Sequence, residues 1–133
     1  MSEETLRERV RDLMPQAQQD LTEMVGFRSV HDAEQQPPEE CDKMVAWLEE
    51  AFTEAGLADV AAHETADGSK AVTGHLDGPE DAPTVLLYFH HDVQPPLGED
   101  EWDSPVWQLT ERNGRWYGRG AVSYTHLRAH ATV

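Results

Sequence analysis

A short apolar run at residues 85–89 leads directly into His90, His91 and Asp92. The five residues of the run are strand formers. Pro95 and the proline after it end the strand, because proline lacks a backbone N–H and fixes φ. We therefore expect a buried strand that carries imidazole and carboxylate groups just past its carboxyl end, where binding sites gather in open α/β sheets.

The spacing of these groups selects one pair. Alternate side chains of an extended segment point to the same side, so His90 and Asp92 can meet while His91 points away. An imidazole nitrogen is a good zinc ligand, and a carboxylate that accepts the other ring N–H fixes the tautomer. The pair predicts a metal-binding function, and a hydrogen-bonded pair without a metal is the alternative.

The charge of the chain limits its partners. Of the 133 residues, 26 are acidic and 10 are basic, which gives a formal net charge of -16. Such a surface repels nucleic acid and anionic membranes, whereas it suits a metal ion or an amine-bearing substrate. We expect neither nucleic acid nor a membrane as a partner.

The chain also lacks sequence signs of export. Its N-terminus has no signal-peptide pattern, and no apolar run approaches the ~18 residues that a bilayer span needs. The single cysteine, Cys41, can form no internal disulfide. We therefore predict a cytoplasmic location, with Cys41 as a small packed helix residue and not a nucleophile.

Two helices are predicted in the first half of the chain. Apolar residues three and four apart indicate an amphipathic helix over residues 4–25, with a kink or a break into two helices at Pro15. A second helix opens at residues 37–40, where prolines precede two acidic residues, and Gly56 ends it.

Two hairpins complete the pattern. The turn residues at 67–69 and at 113–114 lie between extended segments and favour antiparallel pairs. The fold class is therefore α/β, with two helices packed on a mixed, mostly buried sheet. Three further histidines are interpreted as surface residues without a metal role: His31, His63 and His75.

Three motifs together resemble a known family. Residues 86–96, 102–105 and 113–121, in this order and spacing, are similar to the co-catalytic zinc peptidases, which include carnosinase-like dipeptidases, glutamate carboxypeptidase and aminoacylase. Residues 92–95 favour the dipeptidase branch. The resemblance covers residues 1–121 as the N-terminal, incomplete part of that family's catalytic domain.

This resemblance implies a reaction and two site residues. His90 is implied to be a zinc ligand, and Asp92 to be the catalytic-site carboxylate that orients it. The implied activity is hydrolysis of an amide bond in a small peptide or an N-acyl amino acid, with two zinc ions. The full-length parent is implied to form a homodimer.

The chain departs from the pattern of this family at one of the metal ligands. The family's metal-bridging aspartate falls at Ser123, and a hydroxyl does not supply an anionic bridge between two zinc ions. The family's Glu–Glu pair and its other ligands lie beyond the last residue of this chain. We therefore expect the chain alone to be inactive.

The last residues have an interpretation of their own. Residues 122–133 resemble a translated sequencing-library adapter, so we expect a non-native tail in which His126 and His130 have no metal role. A natural zinc-binding tail is the alternative. For the whole chain, the rival functions are a non-catalytic acidic binding or interaction module, or a fragment whose exposed apolar faces make it aggregate.

Overall fold

The computed structural model describes residues 2–122. Ser123 and the two tail histidines therefore lie outside the described residues. The chain divides into two compact units, Phe27–Pro95 and residues 2–26 with 96–122. The division at residue 121 between a native part and an added tail stays a prediction.

The first helix, α1, extends over Glu3–Gly26 without a break at Pro15. Ser2 caps it, because its Oγ accepts the backbone N–H of Thr5 at 3.2 Å. A proline removes one donor from the hydrogen-bond ladder while the turns on both sides continue. Of the two expected alternatives, the division into two helices is therefore wrong, and a kink at Pro15 stays a prediction. Within residues 2–122, no helix combines the length and apolar character that a membrane crossing requires.

The unit that contains α1 also contains a short hairpin. Strand β3 (Thr110–Arg112) pairs antiparallel with strand β4 (Arg115–Tyr117), as predicted. The connecting residues Asn113 and Gly114 both have positive φ, 53° and 71°, which is the requirement of a type I′ turn.

The second unit begins with α2 (Pro38–Glu54), which starts and ends as predicted. Pro38 lies in the first turn, and Gly56, with φ of 87°, follows the C-cap in the left-handed conformation. The apolar face of α2 contributes three buried residues to the core of this unit: Met44, Val45 and Leu48.

A hairpin packs beside α2. Strand β1 (Ala58–Glu64) pairs antiparallel with β2 (Lys70–His75), again as predicted. Two acidic side chains of α2 bond to the hairpin: Glu49 accepts the backbone N–H of Ala62 at 3.1 Å, and Asp42 accepts from Lys70 Nζ at 2.6 Å.

The α/β class is confirmed, but the sheet differs from expectation. The described strands form two separate antiparallel pairs and no mixed sheet, and their residues are exposed or half-buried. Residues 85–89 form no strand, and Leu86 and Tyr88 are 87% and 83% exposed. An apolar run favours a strand, but a strand exists only where a neighbour bonds to it, and no described segment pairs with this run.

Candidate functional site

His90 lies in the loop that follows the exposed run. Its Nδ1 is 2.8 Å from the backbone carbonyl oxygen of Asp92. A carbonyl oxygen only accepts hydrogen bonds, so Nδ1 carries the proton and the lone pair is on Nε2. The side chain is 51% exposed. A protonated Nδ1 and a lone pair on Nε2, on a half-exposed ring, form the arrangement of a metal-binding imidazole.

The carboxylate of Asp92 lies beside the same ring. Its Oδ1 is 3.5 Å from His90 Nδ1, and half of the side chain is exposed. The shorter contact of His90 is therefore with the backbone oxygen of Asp92 and not with its carboxylate. The carboxylate adds negative charge next to the imidazole, on the side of Nδ1.

His91 points away from this pair, as the alternation of side chains predicted. Its Nε2–H donates to the backbone carbonyl of Lys70 at 3.0 Å, which ties the loop to β2. Lys70 is in turn paired with Asp42 on α2 at 2.6 Å. His91 therefore anchors the loop and leaves His90 to face outward.

Ser29 holds the loop from the other side. It is fully buried, and its Oγ–H donates to the backbone carbonyl of His91 at 3.0 Å. The backbone carbonyl of Ser29 accepts the N–H of Val93, also at 3.0 Å. Nothing in the sequence marked this serine, because its partners lie more than sixty positions away.

The segment around Ser29 is fixed to α2. The Phe27 ring lies 6.5 Å from the Trp47 ring. The backbone N–H of Arg28 donates to Glu40 Oε2 at 3.2 Å. Hydrogen bonding from Lys43 lowers the pKa of Glu40, although burial partly opposes this shift. Glu40 is therefore held as a charged acceptor for the backbone of the segment around Ser29.

Cys41 is half-buried on α2, in agreement with the interpretation of a packed helix residue. Burial raises the pKa of its thiol, and the negative charges of Asp92, Asp42 and Glu40 raise it further. The thiol is therefore kept in its protonated form, which is a poor nucleophile.

The other described histidines lie on the surface, as interpreted. His31 is exposed. His63 Nε2 shares a hydrogen bond of 2.9 Å with Thr73 Oγ1 across the hairpin, and His75 Nδ1 lies 3.6 Å from Asp77 Oδ1. None of these contacts brings a third ligand to His90.

The described residues contain only part of a metal site. Among residues 2–122, no group of three histidine, cysteine or acidic side chains is arranged to hold a metal ion. His90 Nε2 is a donor of the type that zinc accepts, and the Asp92 carboxylate lies next to the other ring nitrogen, but a closed zinc site needs about four ligands. The residues present therefore fit one ligand of such a site and the carboxylate behind it.

Comparison with known proteins identifies relatives along most of the chain, although no protein-family profile matches it. A cysteinylglycine-S-conjugate dipeptidase of Corynebacterium striatum is 39% identical over 107 residues, which is 78% of this chain and 22% of that protein. A beta-Ala-His dipeptidase of Mus musculus is 35% identical over 69 residues, 48% of this chain and 14% of that protein.

Structural comparison gives the same result. The crystal structure of human carnosine dipeptidase 1 matches 90% of this chain and 27% of its own, with a TM-score of 0.76 and 27% identity. The chain thus spans about a quarter or less of the length of these relatives. The chain is a relative of these dipeptidases, and its predicted resemblance to the zinc peptidase family that contains them is confirmed.

Proposed function

We propose that this chain is the N-terminal part of a metal-dependent hydrolase that cleaves amide bonds in dipeptides or N-acylated amino acids. The observation that carries the proposal is the half-exposed His90 ring, whose Nδ1 donates to the backbone carbonyl of Asp92 and so leaves the lone pair on Nε2. The names of the relatives support a dipeptide substrate. The acid excess of the chain is compatible with metal ions and with the amino group of a small peptide.

Each residue of the pair has its own role in this proposal. His90 binds zinc through Nε2. The backbone carbonyl of Asp92 accepts the Nδ1 proton, which leaves the lone pair on Nε2 and restrains the orientation of the ring. The Asp92 carboxylate, 3.5 Å from Nδ1, lies behind the ring as its orienting group. When bound in a complete site, zinc polarises the scissile carbonyl and lowers the pKa of a bound water towards ~7.

The chain alone is proposed to be inactive. The described residues provide one proposed ligand, His90, where a catalytic centre needs three or more protein ligands. The complete centre, two zinc ions, a homodimer and a cytoplasmic location belong to the full-length parent and stay predictions.

A dipeptidase assay with added zinc tests the proposal on both the full-length parent and the 133-residue chain. We expect turnover by the parent and none by the chain. His90→Ala should reduce parent turnover by more than about a hundredfold, because loss of a metal ligand exceeds the 10–100-fold effect typical of the groups behind it. His63→Ala, which removes an exposed histidine of the same unit, is the matched control.

Two outcomes would contradict the proposal. One is turnover by the chain alone that exceeds the activity of its His90→Ala variant. The other is a parent that binds zinc at micromolar concentration without any turnover. The second result would favour the alternative, a non-catalytic acidic module, which the net charge of -16 makes compatible with cationic partners.

A further inference from the structure

We propose that Ser29 is a positioning residue for the His90–Asp92 pair, a role that rests on the proposed metal-binding function. Ser29 is completely buried. Its Oγ–H donates to the His91 carbonyl, and its own carbonyl accepts the N–H of Val93, each at 3.0 Å. The two hydrogen bonds lie on either side of Asp92.

The geometry of the peptide bond makes this arrangement specific. A peptide group is planar, so a hydrogen bond to its oxygen or nitrogen orients the whole group. The His91 carbonyl belongs to the peptide group before Asp92 Cα, and the Val93 N–H belongs to the group after it. Because Ser29 binds both groups, it restrains φ and ψ of Asp92 together.

This restraint extends to the His90 ring. The peptide group that carries the Val93 N–H also carries the Asp92 carbonyl, and this carbonyl accepts His90 Nδ1–H at 2.8 Å. Ser29 therefore sets which ring nitrogen of His90 is protonated and where Nε2 points. It acts through Asp92 and has no contact with the metal or the substrate in this proposal.

Ser29 is itself held in place. Its backbone N–H donates to the Phe27 carbonyl at 2.9 Å, and the Phe27 ring packs near Trp47 of α2. The N–H of Arg28 donates to Glu40, at the start of the same helix. The serine therefore transmits the position of α2 to the loop that carries His90.

The test uses the full-length parent protein and the variant Ser29→Ala, which removes the hydroxyl and keeps the backbone bond. In the metal-free protein near pH about 8, where histidine is ordinarily neutral, nitrogen NMR of the His90 ring reports the tautomer. We expect a single Nδ1–H tautomer in the wild type and a mixture in Ser29→Ala. Titration with Zn²⁺ alone should show an affinity lowered on the order of tenfold.

The role of Ser29 would be wrong if loss of its hydroxyl had no effect on His90. An unchanged His90 tautomer, with a Zn²⁺ affinity within about twofold of the wild type, would overturn the role of Ser29. Ser29→Cys covers the case in which the alanine variant does not fold, because its thiol has nearly the same size and is a weak donor. An intermediate affinity is expected for it, and wild-type tautomer and affinity would overturn the proposal.

Val30→Ala is the matched control for packing. Val30 is the next residue, is 3% exposed, and has no hydroxyl. Its truncation should lower the Tm and leave the His90 tautomer unchanged. If Val30→Ala alters the tautomer as much as Ser29→Ala does, the effect comes from general packing and the role of the hydroxyl is refuted.

Failure of the proposed function would be recognised separately. If wild type and His90→Ala bind Zn²⁺ equally, His90 is not a ligand and the metal-binding function fails. The tautomer of His90 in the metal-free protein still decides whether Ser29 positions the ring.

Discussion

Two adjacent parts of one stretch are held in opposite ways. Residues 85–88 are apolar, yet their exposure ranges from 44% to 87%. Residues 90–93 are mostly polar, yet Ser29 and Lys70 fix them through hydrogen bonds of 3.0 Å. The difference teaches that apolar character gives a segment a tendency to be buried, whereas a defined geometry requires specific partners.

The largest expected effect is a loss of stability when a core residue of Phe27–Pro95 is truncated, compared with the same change in the exposed run. Met44 is fully buried, so Met44→Ala should reduce the free energy of unfolding by about 3 kcal/mol, through lost transfer free energy and a cavity. Leu86 is 87% exposed, so Leu86→Ala should change it by less than about 0.5 kcal/mol. Urea denaturation of this chain measures both values.

The contrast between the two regions would be wrong if Leu86→Ala were the more damaging variant. A cost of about 2 kcal/mol or more at Leu86 in this chain would mean that the run is covered, since exposed substitutions rarely have such effects. Repeating the pair of variants in the full-length parent shows whether Leu86 is buried there.

The next largest effect is a difference in stability between the alanine variants of two neighbouring histidines. His91→Ala removes the donor to the Lys70 carbonyl and should cost about 1–2 kcal/mol of stability. His90→Ala removes a half-exposed ring and should lower the free energy of unfolding by less than about 0.5 kcal/mol. It should nevertheless weaken zinc binding, because it removes the proposed ligand. Thermal unfolding and zinc titration of both variants provide the comparison, and equal losses of stability would refute it.

The smallest expected effect is a change in the reactivity of the Cys41 thiol, which reports on the charge of Asp92 in the loop. Burial and the Asp92 charge raise the pKa of its thiol, so iodoacetamide should react more slowly at pH about 8 with the folded chain than with the urea-unfolded chain. Asp92→Asn should accelerate the reaction modestly. Asp32→Asn, an acidic residue in an exposed turn, should not.

The same shift has a predicted sign for stability. The folded state keeps the thiol protonated at a pH where the unfolded chain has begun to release its proton, so unfolding releases protons at alkaline pH. The free energy of unfolding should therefore fall as pH rises through the ordinary thiol pKa, and Cys41→Ser should reduce that fall. An equally steep fall in Cys41→Ser would show that other groups cause it.

The elements that the sequence predicted correctly are those whose limits depend on residues close to them in the chain. The turns at Gly68 and Gly114 have positive φ, 81° and 71°, and both hairpins form around them. Prolines and acids at the start of α2 and Gly56 at its end gave its limits correctly. At each of these places the deciding residues are within a few positions of the element they define.

The remaining features depend on distant partners. The run at residues 85–89 has the composition of a strand, but composition does not supply the neighbour that pairs with it. The outward direction of His90 followed from simple alternation, because it needs only extended backbone. Ser29 could not be found in this way, because the acceptor of its hydroxyl, the carbonyl of His91, is distant in the sequence.

The bond between Ser29 and His91 also has a consequence for the order of folding. It joins residues 62 positions apart, so it forms only after a long loop has closed. Helix α2 and the hairpin β1–β2 need no such closure and can form earlier. His90 would then acquire its final orientation among the last events in this unit, which would make its tautomer a marker of completed folding.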